Sequence, residues 1–205
     1  MKQRRSHQQG FTLVEIAIVL VIIGFLLAGI LNAQSVMRNA RTKDTIKAVN
    51  DMATASQQFK DRYGAWPGTL QNASTAIANV SAACVGNTTN LISTAAESAC
   101  ASESLIRSGV LRGDAAQPIR TNGTTTLSVT GAAAALSGVA GLPAAWRNVV
   151  RIQTTDCDVI LQMDRLLDDG SAETGNLRTA TGVCGATGTS QNEALLVTNA
   201  ALRLN

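Results

Sequence analysis

The chain has 205 residues, enough for one ordinary domain plus a membrane element, whereas two full domains would be tight. Apolar residues make up 45% but aromatics only 3%, so any core is built from Ala, Val, Leu and Ile; the few charged residues (15%) and the abundance of Thr, Ser, Asn, Gly and Ala suit an exported β-rich domain with long loops. Three of the 17 basic residues, Lys2, Arg4 and Arg5, precede Gly10, leaving 14 against 14 acidic residues, and a neutral body of this kind excludes the basic stripe of a nucleic-acid binder.

Residues 1–10, MKQRRSHQQG, are short, basic and polar. Residues 11–31, FTLVEIAIVLVIIGFLLAGIL, are almost wholly apolar. As a helix rising about 1.5 Å per residue, the second stretch covers roughly 30 Å, the thickness of bilayer hydrocarbon. The leading positive charges should stay cytoplasmic and the C-terminal bulk face outward. A secretory signal peptide is a poor fit, because its small-residue cleavage site follows the apolar region, whereas Gly10 precedes it.

Glu15 is the only charged residue between Arg5 and Arg38. A carboxylate inside an apolar span is costly unless paired, which makes it a functional residue in need of a partner. Cleavage between Gly10 and Phe11 would create one, the new α-amine of Phe11. Glu15 lies one turn from its own terminus, an awkward reach, and is placed to meet the amine of a neighbouring subunit instead. Gly24 and Gly29 interrupt the span, either for close helix packing or as local weak points.

The run Gly10-Phe11-Thr12-Leu13-Val14-Glu15 resembles the cleavage and methylation motif of type IV prepilins and the related pseudopilins. The resemblance implies a prepilin peptidase that cuts after Gly10 and methylates Phe11, and an assembly role for Glu15. It implies a structural subunit of a type IV pilus (a pilin or minor pilin), with a type II secretion pseudopilin or a filament-tip adhesin as alternatives. The partners would be other pilin subunits, the peptidase, an assembly platform and the bacterial inner membrane, with no nucleic acid. The expected domains are a leader (1–10), a long helix (11–63, transmembrane over about 11–31) and a head (64–205). The fold implied is α+β, the pilin-like fold: the outer half of the helix laid on a small antiparallel sheet with disulfide-stapled loops.

The helix is predicted to run on past the membrane, since residues 32–63 lack Pro and Gly, and Val49, Met52, Ala53, Ser56, Phe59 and Tyr63 recur at helical spacing. Gly64 offers a C-cap, Pro67-Gly68 a stop, and Trp66 an anchor under a loop. The segment from Tyr63 to Gly68 also resembles the stretch that follows the long helix in many pilin-like proteins. Residues 69–145 are polar and Gly-dotted and are taken as the connection to the sheet, with a short helix near 98–108 and a hairpin signal at Asn122-Gly123. The run 132–135 is low in complexity and fits helix or loop. Residues 146–153 form a strand. Val159, Ile160, Met163, Leu166 and Leu167 give a helix with Asp156 as N-cap and Gly170 as stop, and 195–198 reads as a last strand.

Cys84, Cys100, Cys157 and Cys184 show no CxxC spacing, and in an exported domain an even count reads as two disulfides. Of three possible pairings, Cys84–Cys100 and Cys157–Cys184 are preferred because each closes a modest local loop. Asp164, Asp168, Asp169 and Glu173 form the densest acidic cluster, able to hold calcium through hard oxygen ligands, although the spacing is not that of an EF-hand and the plainer reading is a solvated helix end. No other cofactor is implied. His7, in the leader, is the only histidine, so no His-based triad or zinc site can form in the body. The glycine-rich stretch 182–188 lacks a strand–helix phosphate pattern and reads as a loop. No catalytic motif is present, and no enzyme activity is expected.

Overall fold

A computed structural model describes residues 12–115, 119–120, 125–132, 142–143, 145–179, 184, 196–197 and 199–205. Gly10 and Phe11, the Asn122-Gly123 turn, residues 133–135, Leu195, Thr198 and the 182–188 stretch apart from Cys184 lie outside these. The chain divides into two compact units, Met1–Ala40 and Arg41–Asn205.

Helix α1 runs Leu13–Tyr63. It ends where the sequence says it must: the Gly64 N–H bonds the Lys60 carbonyl at 2.8 Å, and Gly64 takes a left-handed φ of 71° that glycine adopts freely. Gly68 follows at φ 81°, and a Cβ there would collide with the Glu97 carbonyl oxygen. Trp66, between the two, is buried, with the Lys60 ammonium 4.6 Å from its ring centre. Within the second unit, Val49, Met52, Ser56 and Phe59 on α1 are fully buried. Ala53 and Tyr63 are only half-buried, and Ala55, outside the predicted stripe, is buried instead.

A single turn, α2 (Ala73–Ala76), and helix α3 (Ala95–Arg107) come next. α3 begins three residues ahead of the predicted helix because Thr94 and Glu97 close a capping box. The Glu97 carboxylate accepts from Ser93 N–H (2.6 Å) and O–H (2.9 Å), from Thr94 N–H (3.0 Å) and from the Asn87 side-chain amide. Partial burial pushes its pKa up, but the bonds from Ser93, Asn87 and Thr94 outweigh this and hold it below the ordinary 4.5. Glu97→Ala is therefore expected to cost about 1–2 kcal/mol at pH 7 in denaturant melts. A depressed carboxyl contributes stability above its unfolded pKa and loses it as pH falls through the folded value. The gap between wild type and variant should accordingly narrow below pH 4.5.

The hairpin signal at Asn122-Gly123 marks the start of the sheet, inside the stretch expected to connect helix and sheet. Strands β1 (Ile119–Arg120) and β2 (Thr126–Gly131) pair antiparallel, with Ile119 opposite Leu127, flanking the Asn122-Gly123 signal. β2 pairs along its length with β3 (Asn148–Gln153). Thr154 then takes a φ of 57°, rare for a β-branched residue, and this break separates β3 from β4 (Thr155–Asp156). Helix α4 (Cys157–Leu167) starts at once; Asp156 occupies its N-cap position but makes no side-chain cap bond, its backbone being paired in β4. The final strands are β5 (Leu177–Thr179), β6 (Leu196–Val197) and β7 (Ala200–Arg203). The sequence reading ended the sheet with one strand at 195–198; β6 pairs with β4 in a separate ribbon, and β7 is the strand that joins the main sheet. That sheet is antiparallel throughout, in the order β1-β2-β3-β7-β5.

One hydrophobic cluster joins Val49, Met52 and Phe59 of α1 to Leu105 of α3, Leu127 and Val129 of β2, Val150 and Ile152 of β3, and Ile160 and Met163 of α4. The fold is α+β. Disulfides join Cys84 to Cys100 and Cys157 to Cys184.

Candidate functional site

The described chain opens at Thr12, the N-cap of α1. Its N–H and hydroxyl both donate to Glu15 Oε2, at 2.8 and 2.9 Å, and the Glu15 N–H is 3.3 Å from the Thr12 hydroxyl oxygen. The T-x-x-E pattern ahead of an apolar run is a capping box, and the carboxylate sits against N–H groups that would otherwise lack partners. The sequence reading treated Glu15 as a lone charge in search of a neighbour and missed this local role, although Thr12 three residues earlier was the signal for it. Gly10 and Phe11, the expected cleavage and methylation residues, lie outside the described residues.

From Leu13 to Ile30 α1 is long and apolar enough to cross a membrane, the one such helix among the described residues. Its large side chains are exposed, Leu13 at 91% and Phe25 at 76%. An exposed apolar surface over so long a stretch is consistent with membrane anchoring. Among the described residues, a Cβ at Gly24 or Gly29 would meet nothing within 4 Å.

The second place of interest is the turn after α4. Asp164 lies on the last turn of α4, four residues after the buried Ile160, and is itself completely buried. Among the described residues, neither of its carboxylate oxygens has a hydrogen-bond donor. Asp168 and Asp169 bring one carboxylate oxygen each to within 4.8 Å of Asp164 and of each other. Glu173 does not join them; it sits in the next turn, which Thr174 N–H closes onto the Ser171 carbonyl. Asp168 is built into the backbone: its Oδ2 accepts from the Asn176 and Leu177 N–H groups, and it lies so close to Gly175 (φ 67°) that a Cβ there would strike it. Asp169 accepts from Ser171 N–H (2.9 Å) and the Thr174 hydroxyl (2.7 Å). Bonds from Thr174 and Ser171 lower the Asp169 pKa. Burial, reinforced by the charges of Asp169 and Asp168, raises that of Asp164 to about 6, the Gly170 amide drawing it partly back without closing a hydrogen bond.

The family model of the prokaryotic N-terminal methylation motif matches residues 5–31. No curated protein and no solved structure matches the chain. The matched segment takes in Gly10, Phe11, the Thr12–Glu15 capping pair and the apolar start of α1. This N-terminal segment marks the chain as a carrier of the type IV pilin and pseudopilin signature.

Proposed function

We propose that this protein is a structural subunit of a type IV pilus. A prepilin peptidase cuts between Gly10 and Phe11 and methylates the new amine of Phe11. The precursor sits in the bacterial inner membrane with its leader in the cytoplasm and its body outward, and an assembly platform then draws it into the filament beside other pilin subunits. The observation that carries this reading is the methylation motif in register with a carboxylate inside the membrane-length helix.

Thr12 occupies only Oε2 of Glu15 among the described residues, which leaves Oε1 for the amine of an adjacent subunit. That pairing neutralises both charges in a low-dielectric bundle, where each alone is costly. The work of such a subunit is packing and anchoring, so no catalytic group is required.

Intact mass spectrometry of the protein taken from its own membrane or filament tests the reading. The expected species lacks residues 1–10 and carries one added methyl group on Phe11. An uncut mass overturns the assignment and leaves a simple anchored protein.

A further inference from the structure

We propose that Asp164, Asp168 and Asp169 form a calcium site at the C-terminal end of α4, independent of the filament reading. Three carboxylate oxygens lie within 4.8 Å of one another, a concentration of like charge. The decisive observation is Asp164. It is fully buried, both its oxygens lack a hydrogen-bond partner, and one of them faces the other two carboxylates. A buried polar group normally finds a partner, and a buried charge finds a counter-charge or a metal. Among the described residues the protein supplies none here beyond the Gly170 amide, which does not close a hydrogen bond. The nearby cation, Arg178, has its guanidinium 5.6 Å from the Trp146 ring centre and donates from Nε to the Gly175 carbonyl at 3.1 Å. Its charge acts on Asp169.

The ligand atoms are hard oxygens drawn from an irregular turn. Calcium accepts about six to eight such ligands in flexible geometry, whereas magnesium demands near-octahedral order and keeps its waters. Asp164 would contribute the enclosed side of the site, and the half-buried Asp168 and exposed Asp169 the entry side. Backbone carbonyls of the turn and water would complete the shell.

The test uses the full chain in detergent, melted in EDTA, in about 1 mM CaCl2 and in about 1 mM MgCl2, concentrations suited to extracellular calcium modules. Calcium is expected to raise Tm by about 3–6 °C over EDTA, magnesium by far less. Asp164→Asn keeps the shape and removes the buried charge; it should melt in EDTA at or above wild type and show no calcium shift. Should that variant fail to fold, Asp169→Asn serves, with a calcium response displaced to at least tenfold higher concentration. No calcium shift in wild type up to about 10 mM overturns the proposal. So does an undiminished shift in Asp164→Asn, which would mean that calcium binds other surface acids.

Discussion

Glu15→Gln is expected to lower the amount of this protein in filaments by about a hundredfold, with the subunit retained in the membrane, cleaved and folded. The magnitude follows from the cost of an unpaired charge in hydrocarbon, about 2.5–3.5 kcal/mol, at about 1.4 kcal/mol per factor of ten. Under the proposed pairing that cost is removed when the carboxylate meets an amine, so entry into the bundle is the step that gains. Glutamine keeps an oxygen for the Thr12 N–H and hydroxyl, and so preserves the local cap. It loses the charge alone. Glu15→Ala removes both, and Thr12→Ala weakens the cap while sparing the charge. Immunoblots of sheared filaments against membranes separate the two roles. If Glu15→Gln enters filaments like wild type while Glu15→Ala does not, the residue is a helix cap and the intersubunit pairing is wrong.

Two T-x-x-E patterns in this sequence show what local reading can and cannot reach. Thr12–Glu15 and Thr94–Glu97 are the same device, and each fixes a helix start to the residue. Both were visible in the sequence, yet the first was hidden by the better-known meaning of an acid in an apolar run. The α1 stripe was legible because 3.6-residue periodicity over several turns is a strong signal, and the local disulfide loops because chain closure favours them. Strands β4, β5 and β6, two or three residues each, carry too few side chains for any period to emerge. Long-range polar networks are hidden for a different reason. Asn148 accepts from Ile92 N–H at 3.0 Å, donates to the Asn90 carbonyl at 2.9 Å, and binds the Asn205 side chain through its own N–H. Nothing near Asn148 in the chain announces partners more than fifty residues away.

Asp164 lies between these cases. The acidic cluster is visible in the sequence, where its plainer reading is a solvated helix end. The spacing Ile160 to Asp164 is i to i+4, which puts both on the face that buries Cys157, Ile160 and Met163. Helical periodicity thus contained the burial of the carboxylate, and only its lack of a hydrogen-bond partner required the fold.

The second large effect is expected at Phe59. Phe59→Ala should lower the unfolding free energy by about 3–5 kcal/mol, the range for a fully buried phenylalanine whose cavity cannot collapse. Collapse is resisted here because Phe59 stacks at 4.6 Å on Tyr63 and belongs to the same cluster as strands β2 and β3 and helix α4. For a chain of this size the loss corresponds to a fall in Tm of roughly 6–20 °C. Gln58→Ala, one residue away on the exposed face, should change stability by less than about 0.5 kcal/mol. Denaturant melts of the full chain in detergent give both numbers, with the slope m unchanged if the same surface is exposed on unfolding. A cost below about 1 kcal/mol at Phe59 would mean that the second half of α1 contributes little to the core. The expected cost places one helix in two tasks, since the residues that start α1 carry the methylation motif and the residues that end it hold the body of the protein together.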